Sequence, residues 1–423
     1  MPRVMRETSE FSVDALARDG DGLAGATSVA GALPGERVEA RLEGAHWVAD
    51  AVLVASPHRA KPFCPEYGRC GGCVAQHMDA PLYGDWKRQR IVDALAKADI
   101  GVPVAPLVDA HGAGRRRATF HARFPGEAAP EVGFMRRRSH AIIDIDACPL
   151  LCAALGEAPR VAREVARGAA GAGKPLDIQI TACLTGLDVD IRGLGPPDEA
   201  LARGLIRRAE SLDLARLSVH GRTLIERRRP VIMIDGVEVT PPAGGFLQAT
   251  EAGEDAIAAL ALPALKGAKT IADLFSGCGA FALRLARRHE VFAVDGDAPS
   301  IRALAEASAR ADGRRGLETL TRDLHQRPLR DAELDRFDGV LFDPPRAGAE
   351  AQARALAASQ VPVVVAVSCD AGTFARDAAL LIGGGYRLES VTPIDQFKHS
   401  AHVETVGVFG RTISAKRKKG WLS

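Results

Sequence analysis

The chain has 423 residues, more than one hydrophobic core usually fills, so two or three domains are expected. Hydrophobic residues at 47% and charged residues at 26% are ordinary for a soluble globular protein. Lysine plus arginine (55) barely exceed aspartate plus glutamate (53), so overall charge selects no class of partner.

The first thirty residues hold no unbroken apolar stretch of the kind a signal peptide needs. The most apolar run, Val361 to Val367, is too short to span a bilayer, so a cytoplasmic protein without a membrane partner is expected. From Glu10 to about Ser56, short apolar stretches alternate with turn signals such as Asp19-Gly20-Asp21-Gly22 and Pro34-Gly35, the rhythm of a small β-barrel. His58 to Pro62 reads as a linker. A cysteine cluster follows, Cys64, Cys70 and Cys73, with Cys148 far downstream. Eight cysteines without a secretory signal argue for metal ligation or catalysis over a disulfide framework, and four thiolates suit either zinc or a [4Fe–4S] cluster.

Asp85 to Ala98 has the spacing of an amphipathic helix, with Ile91, Leu95 and Ala98 on one face. From about Gly101 to Asp235, Ala/Arg-rich helical segments (Ala153 to Ala169, Asp198 to Ala209) flank strand-like runs. Leu176 to Ile180 and Leu187 to Ile191 alternate at period two about Thr185-Gly186 and predict a hairpin. After Lys266 the pattern becomes alternating. Strands are expected at 270–274, 291–294, 317–321, 339–342 and 362–367, and helices at 280–288, 300–311, 350–358 and 373–382. Two final strands fall at 387–394 and 402–409. Such alternation predicts a doubly wound, Rossmann-like α/β sheet covered on both faces. Four basic clusters, Arg115–Arg117, Arg136–Arg138, Arg227–Arg229 and Lys416–Lys419, together suggest phosphate contacts on a nucleic acid.

The segment Asp273-Leu274-Phe275-Ser276-Gly277-Cys278-Gly279 lies where the first strand of that sheet meets its helix, and its glycines allow a sharp turn close to a ligand. Asp295 ends the next strand, where a carboxylate can bind both hydroxyls of an adenosine ribose. No third glycine completes a dinucleotide fingerprint, and an acidic Asp273 suits a cationic sulfonium better than a pyrophosphate. Asp343-Pro344-Pro345-Arg346 ends the fourth strand and Ser368-Cys369-Asp370 the fifth. Cys369, beside a helix N-terminus, is placed for a lowered pKa and action as a thiolate. Such a nucleophile answers a specific chemical need. Uracil C5 is too weakly nucleophilic to attack a methyl sulfonium until a thiolate has added at C6. A base must then take the C5 proton, and Glu404, a carboxylate within an apolar strand, is the candidate.

These motifs resemble the TrmA/RlmD-type family of RNA uridine-C5 methyltransferases, along nearly the whole chain. The family's catalytic segment V-S-C-D-P-x-T-F-A-R-D is matched by Val367 to Asp377 with Ala371 for the proline, and its H-V-E-T-V by His402 to Val406. Asp395-Gln396-Phe397 also matches. The resemblance implies that S-adenosylmethionine is held by Gln248, Phe275, Ala280 (where relatives carry asparagine), Asp295, Asp323 and Asp343. It implies Cys369 as nucleophile and Glu404 as base. It favours iron–sulfur over zinc at Cys64, Cys70, Cys73 and Cys148, and leaves Cys152, Cys183 and Cys278 without a ligand role. It also likens residues 1–57 to an RNA-binding TRAM domain, an OB-like barrel. A central α+β unit carrying the cluster is then expected over 58–240 and the methyltransferase domain over 241–423. The implied activity is methylation of uridine C5 in RNA by a monomer, with 23S rRNA favoured over tRNA. A non-catalytic RNA-binding protein is the reading from a different class.

Overall fold

The computed structural model describes residues 7–125, 129–169 and 174–411; the Lys416–Lys419 cluster lies outside them. Six short strands between Thr8 and Val54 form the first sheet, in which Arg37–Glu43 lies antiparallel between Thr8–Ser12 and His46–Val54. Val13, Val29, Ala32, Val38 and Ala40 make its small core. A second sheet of seven strands runs from Arg117 to Glu226, antiparallel except where Gly186–Arg192 lies beside Arg216–Val219. The expected hairpin is at its centre, with Ile178 opposite Ile191. Two helices cover this sheet, Ala158–Gly168 and Glu199–Ser211.

The third sheet carries the site. Its elements are α1 (Ala80–Lys97), β1 (Val108–Asp109), α2 (Glu251–Leu265), β2 (Thr270–Leu274), α3 (Ala282–Leu285), β3 (Glu290–Asp295), α4 (Ala298–Arg310), β4 (Leu317–Thr321), β5 (Gly339–Phe342), α5 (Glu350–Ala358), β6 (Val363–Ser368), α6 (Ala371–Gly383), β7 (Arg387–Asp395) and β8 (Glu404–Gly410). The strand order is β4-β3-β2-β5-β6-β8-β7-β1. Strands β2 to β6 are mutually parallel, while β8 runs antiparallel to both β6 and β7. Near-continuous apolar residues in β5 and β6 are buried because helices lie on both faces, as a parallel sheet requires.

Three features depart from the sequence reading. Helix α1 starts five residues before the expected Asp85, because Asp79 caps it by accepting from Leu82 N at 3.0 Å and Pro81 suits the first turn. Helix α3 spans only Ala282–Leu285, since the glycine loop extends to Phe281 before the backbone can wind. The sheet also recruits chain from the segment assigned to the central unit. Ile91 and Leu95 of α1 share a core with Phe374 and Leu381 of α6, β1 pairs with β7, and the Ile232–Val239 hairpin packs in the core beneath α2.

One buried ion pair locks this arrangement. Lys87 of α1 is 0% exposed and donates to Asp395 Oδ1 (2.5 Å), Phe397 O (3.0 Å) and His402 O (2.7 Å), while Tyr83 donates to Asp395 Oδ2 at 2.7 Å. A buried charge stripped of its partner costs roughly 3–5 kcal/mol, so this lysine fixes the loop between β7 and β8 firmly. Among the described residues, no helix is long and apolar enough to cross a membrane.

Candidate active site

Ligands of open α/β sheets bind beyond the carboxyl ends of the parallel strands, and strand register determines what meets there. Phe342 of β5 pairs with Ala366 of β6, so Asp343 leaves the sheet close to Cys369, which follows Ser368. Strand β8 is reversed, which brings its first residue, Glu404, to this same edge; Thr405 pairs with Ser368. Three chemically capable side chains thus gather although 61 positions separate the first from the last.

A chain of hydrogen bonds joins the two carboxyls, Asp343 and Glu404. Gln248 donates from Nε2 to Asp343 Oδ2 at 2.6 Å. Gln396, in the loop between β7 and β8, donates to Gln248 Oε1 at 2.8 Å and to Glu404 Oε2 at 2.7 Å. Burial pushes the Asp343 acid up to about 7. Burial, followed by the Asp343 charge, pushes Glu404 up to about 8. That direction agrees with the expectation for a carboxylate in an apolar strand. The thiol departs from expectation. Burial and the nearby Glu404 and Asp343 charges push Cys369 up to about 12, where a lowered value was expected from the helix N-terminus. The cap adds a smaller contribution of the same sign. Asp370 itself accepts from Gly372 N (2.9 Å) and Thr373 N (3.1 Å), placing a carboxylate at the end of α6 that was to stabilise the sulfur.

The glycine loop lies across the same edge. Gly279 has φ of +96°, and a Cβ there would stand 2.3 Å from Leu304 Cδ1, so only glycine lets α4 pack against it. Asp295 accepts from Gly277 N at 2.8 Å and from Asp297 N at 2.7 Å, and in this way it shapes the loop. Gln248, Phe275, Ala280 and Asp343 line one cavity with Phe246 at its edge; its enclosed volume is only about 30 Å³, so a nucleoside-sized ligand would lie mostly along the open strand ends. Asp295 and Asp323 are not in its lining. Asp323 caps the next turn, accepting from His325 N at 2.9 Å, and His325 stands 5.2 Å from the Phe275 ring. Asp273 is 0% exposed beneath the loop; burial and then Asp343 hold its acid well above the usual range. It therefore meets a ligand only through its field, not by contact.

Away from this edge, Cys64, Cys70, Cys73 and Cys148 line one cavity of about 810 Å³. All eight cysteines are free thiols. Cys152 is outside that lining, and Cys278 is buried in the sheet's core, as expected for residues without a ligand role. Among the described residues, no group of three or more His, Cys, Asp or Glu side chains is gathered tightly enough to hold a metal ion. The four thiols surround a space without converging on one point.

Many of the described arginines in the basic clusters make structural contacts. Arg137 and Arg138 each reach Asp21 of the first sheet at 2.6 Å. Arg227 and Arg228 share Asp213, and Arg229 pairs with Glu238. Arg116, 4% exposed, bonds Glu254 at 2.6 Å and Gln248 O at 3.0 Å, and Arg117 donates to Gly245 O at 3.2 Å. That cluster braces the segment carrying Gln248. Roles that the sequence reading did not assign thus include those of Gln396, Lys87 and Arg116. Gln396 had a visible signal, a carboxamide eight positions before the candidate base in a matched motif; the other two are recognisable only from their partners.

Comparison with known proteins adds a consistent picture. A family model described as tRNA (Uracil-5-)-methyltransferase matches residues 244–412. A protein of Mesorhizobium japonicum named as an RNA methyltransferase is 42% identical over 98% of this chain and 100% of its own length. The 23S rRNA (uracil(1939)-C(5))-methyltransferase RlmD of Chromohalobacter salexigens is 33% identical over 96% of this chain and 92% of its own. Among solved structures, the tRNA (uracil-54, C5)-methyltransferase of Pyrococcus abyssi, in complex with S-adenosyl-L-homocysteine, superposes with a TM-score of 0.73. It covers 95% of this chain and 99% of its own at 21% identity, a likeness of fold.

Proposed function

Because the chain belongs to the family of RNA uracil-C5 methyltransferases, we propose that Cys369 is its nucleophile and Glu404 its base, acting on a uridine of 23S rRNA. The observation that carries this reading is the hydrogen-bonded line Asp343–Gln248–Gln396–Glu404 beside the Cys369 thiol at the carboxyl edge of the sheet. A non-catalytic RNA binder would have no use for two carboxyls held at raised pKa around a thiol.

S-adenosylmethionine supplies an electrophilic methyl on a cationic sulfonium. The donor set suits it: Asp343 offers negative charge, Phe275 an aromatic face, and Asp295 a carboxylate for the ribose, with Gln248, Ala280 and Asp323 completing the binding residues. The target uridine must leave its stack to reach the strand ends. Cys369 Sγ, once its proton has passed to solvent, forms a bond to C6, and the C5=C6 pair moves onto C5 and O4 as an enolate. Once C5 carries the methyl, Glu404 takes the C5 proton, the double bond reforms and the Sγ–C6 bond breaks.

Cys64, Cys70, Cys73 and Cys148 are proposed to hold a [4Fe–4S] cluster that braces the RNA-binding central unit. Tetrahedral zinc with Zn–S of about 2.3 Å would draw four sulfurs to roughly 3.8 Å from one another. A cubane would bind each thiolate at a separate iron, and the four thiols line one cavity. Protein purified without oxygen is expected to carry iron and acid-labile sulfide in equal amounts; zinc alone would overturn the assignment. The six-stranded N-terminal sheet is proposed as the TRAM-like RNA-binding module over 1–57. The methyltransferase domain proposed over 241–423 also takes in α1, β1 and the Ile232–Val239 hairpin from the central unit over 58–240, and the enzyme would work in the cytoplasm as a monomer.

The relative of near-equal length that methylates 23S rRNA favours that substrate, although tRNA stands in the names of the family model and of the archaeal structure. Incubation with methyl-labelled S-adenosylmethionine and total RNA from a strain lacking the protein should place label in 5-methyluridine of 23S rRNA. Label in tRNA would move the substrate assignment, and no transfer to any RNA would overturn the reading.

A further inference from the structure

Gln396 stands in the middle of the site with every polar atom engaged. Its Oε1 accepts from the backbone N–H of Ala249 at 3.0 Å. A backbone N–H can only donate, so the orientation of the carboxamide is settled: the acceptor faces Ala249 and both N–H groups face the site. One of them goes to Gln248 Oε1 and the other to Glu404 Oε2. Gln248 is thereby oriented too, with its own N–H groups directed toward Asp343. The result is a directional series in which a single side chain, 0% exposed, serves the cofactor end and the base end together.

The second oxygen of Glu404 completes the picture. Oε1 is fully buried and has no hydrogen-bond partner, an arrangement that is costly unless something occupies it during function. Glu404 is 3% exposed, so bulk water does not relieve it. One oxygen is tied and the other is left without a partner.

We propose that Gln396 is a positioning residue for proton removal: by holding Oε2 of Glu404 it aims Oε1 at the C5 proton, and it keeps the carboxylate form available. This rests on the assignment of Glu404 as base. A hydrogen bond donated to the ionised carboxylate stabilises that form, opposing the effect of burial. The groups that face Glu404 are Asp343 from the end of β5, whose charge raises its pKa, Cys369 from the end of β6, and Gln396 from the loop before β8. Lys87 is committed to Asp395 and to backbone carbonyls of the loop. Gln396 is therefore the group whose removal should shift the base without touching the thiol.

The test uses the full-length enzyme with Gln396→Met, which keeps length and volume but donates nothing, and Gln396→Leu should the first variant not fold. Two reactions are compared. RNA containing 5-fluorouridine has no C5 proton to lose, so its covalent adduct reports every step up to methyl transfer. Decay of the adduct on ordinary RNA in a single turnover reports proton removal. The variant should form the fluorouridine adduct within about twofold of the wild-type rate. Its decay on ordinary RNA should slow at least about tenfold at pH 7, with the pH of half-maximal rate moved up by about one unit and the plateau at higher pH left below that of the wild type. An unmoved pH profile, or an equal loss in both reactions, would overturn the proposal by reducing Gln396 to a packing element. Failure of the wild type to form any adduct would instead strike at the assignment of the nucleophile.

Discussion

Cys369→Ala is expected to abolish the covalent adduct on 5-fluorouridine RNA and to lower methyl transfer by at least about 10⁴-fold, while binding of S-adenosylmethionine persists. The size follows from the chemistry, since without addition at C6 the C5 carbon has no enolate to drive it. The pKa makes the prediction sharper. A thiol pushed up to about 12 by burial, Glu404 and Asp343 is held largely in its neutral form at neutral pH. The free enzyme should therefore react slowly with iodoacetamide at Cys369, faster as pH rises and faster when a sulfonium cation offsets the Asp343 charge. Denaturing electrophoresis of enzyme mixed with fluorouridine RNA checks the first outcome directly. A persistent adduct in Cys369→Ala would remove the residue from its role.

Much of this site could be read from one-dimensional pattern because each part sits at a boundary that sequence marks well. Strands β2, β4 and β5 fall at their expected limits, since short apolar runs stopped by glycine, proline or charge have few alternative placements. Asp343, Cys369 and Glu404 stand at such stops, and the doubly wound topology places strand ends together. The thiol's electrostatics could not be read in the same way. The inference of a lowered pKa considered one helix terminus, whereas the sulfur also senses two carboxyls that arrive from other strands. The ion pairs of the arginine clusters were hidden for a related reason. Charge runs are visible in sequence, but Asp21, Asp213 and Glu254, which neutralise them, lie far away along the chain. The extent of the third sheet was equally hidden, because β1 is two residues long and carries no periodic signal.

Glu404→Gln should separate the two halves of the reaction. Glutamine retains the carbonyl oxygen that can accept from Gln396, so the hydrogen-bonded line to Gln248 and Asp343 survives with little change in shape. What is lost is the ability to take a proton. Addition and methyl transfer should proceed, leaving a methylated adduct on ordinary uridine RNA that wild-type enzyme does not accumulate, with turnover reduced about 10²–10⁴-fold. In the wild type the base works only when ionised, so an acid raised to about 8 makes adduct decay rise with pH through that region and fall below it. The variant's residual decay should lack this limb. Loss of the Glu404 charge should also bring the Cys369 pKa down, because that charge is the largest one acting on the thiol. Faster alkylation of Cys369 in Glu404→Gln, together with slower release of product, is thus a paired outcome that a merely structural glutamate would not give. Normal turnover, or slowed alkylation, would count against the base.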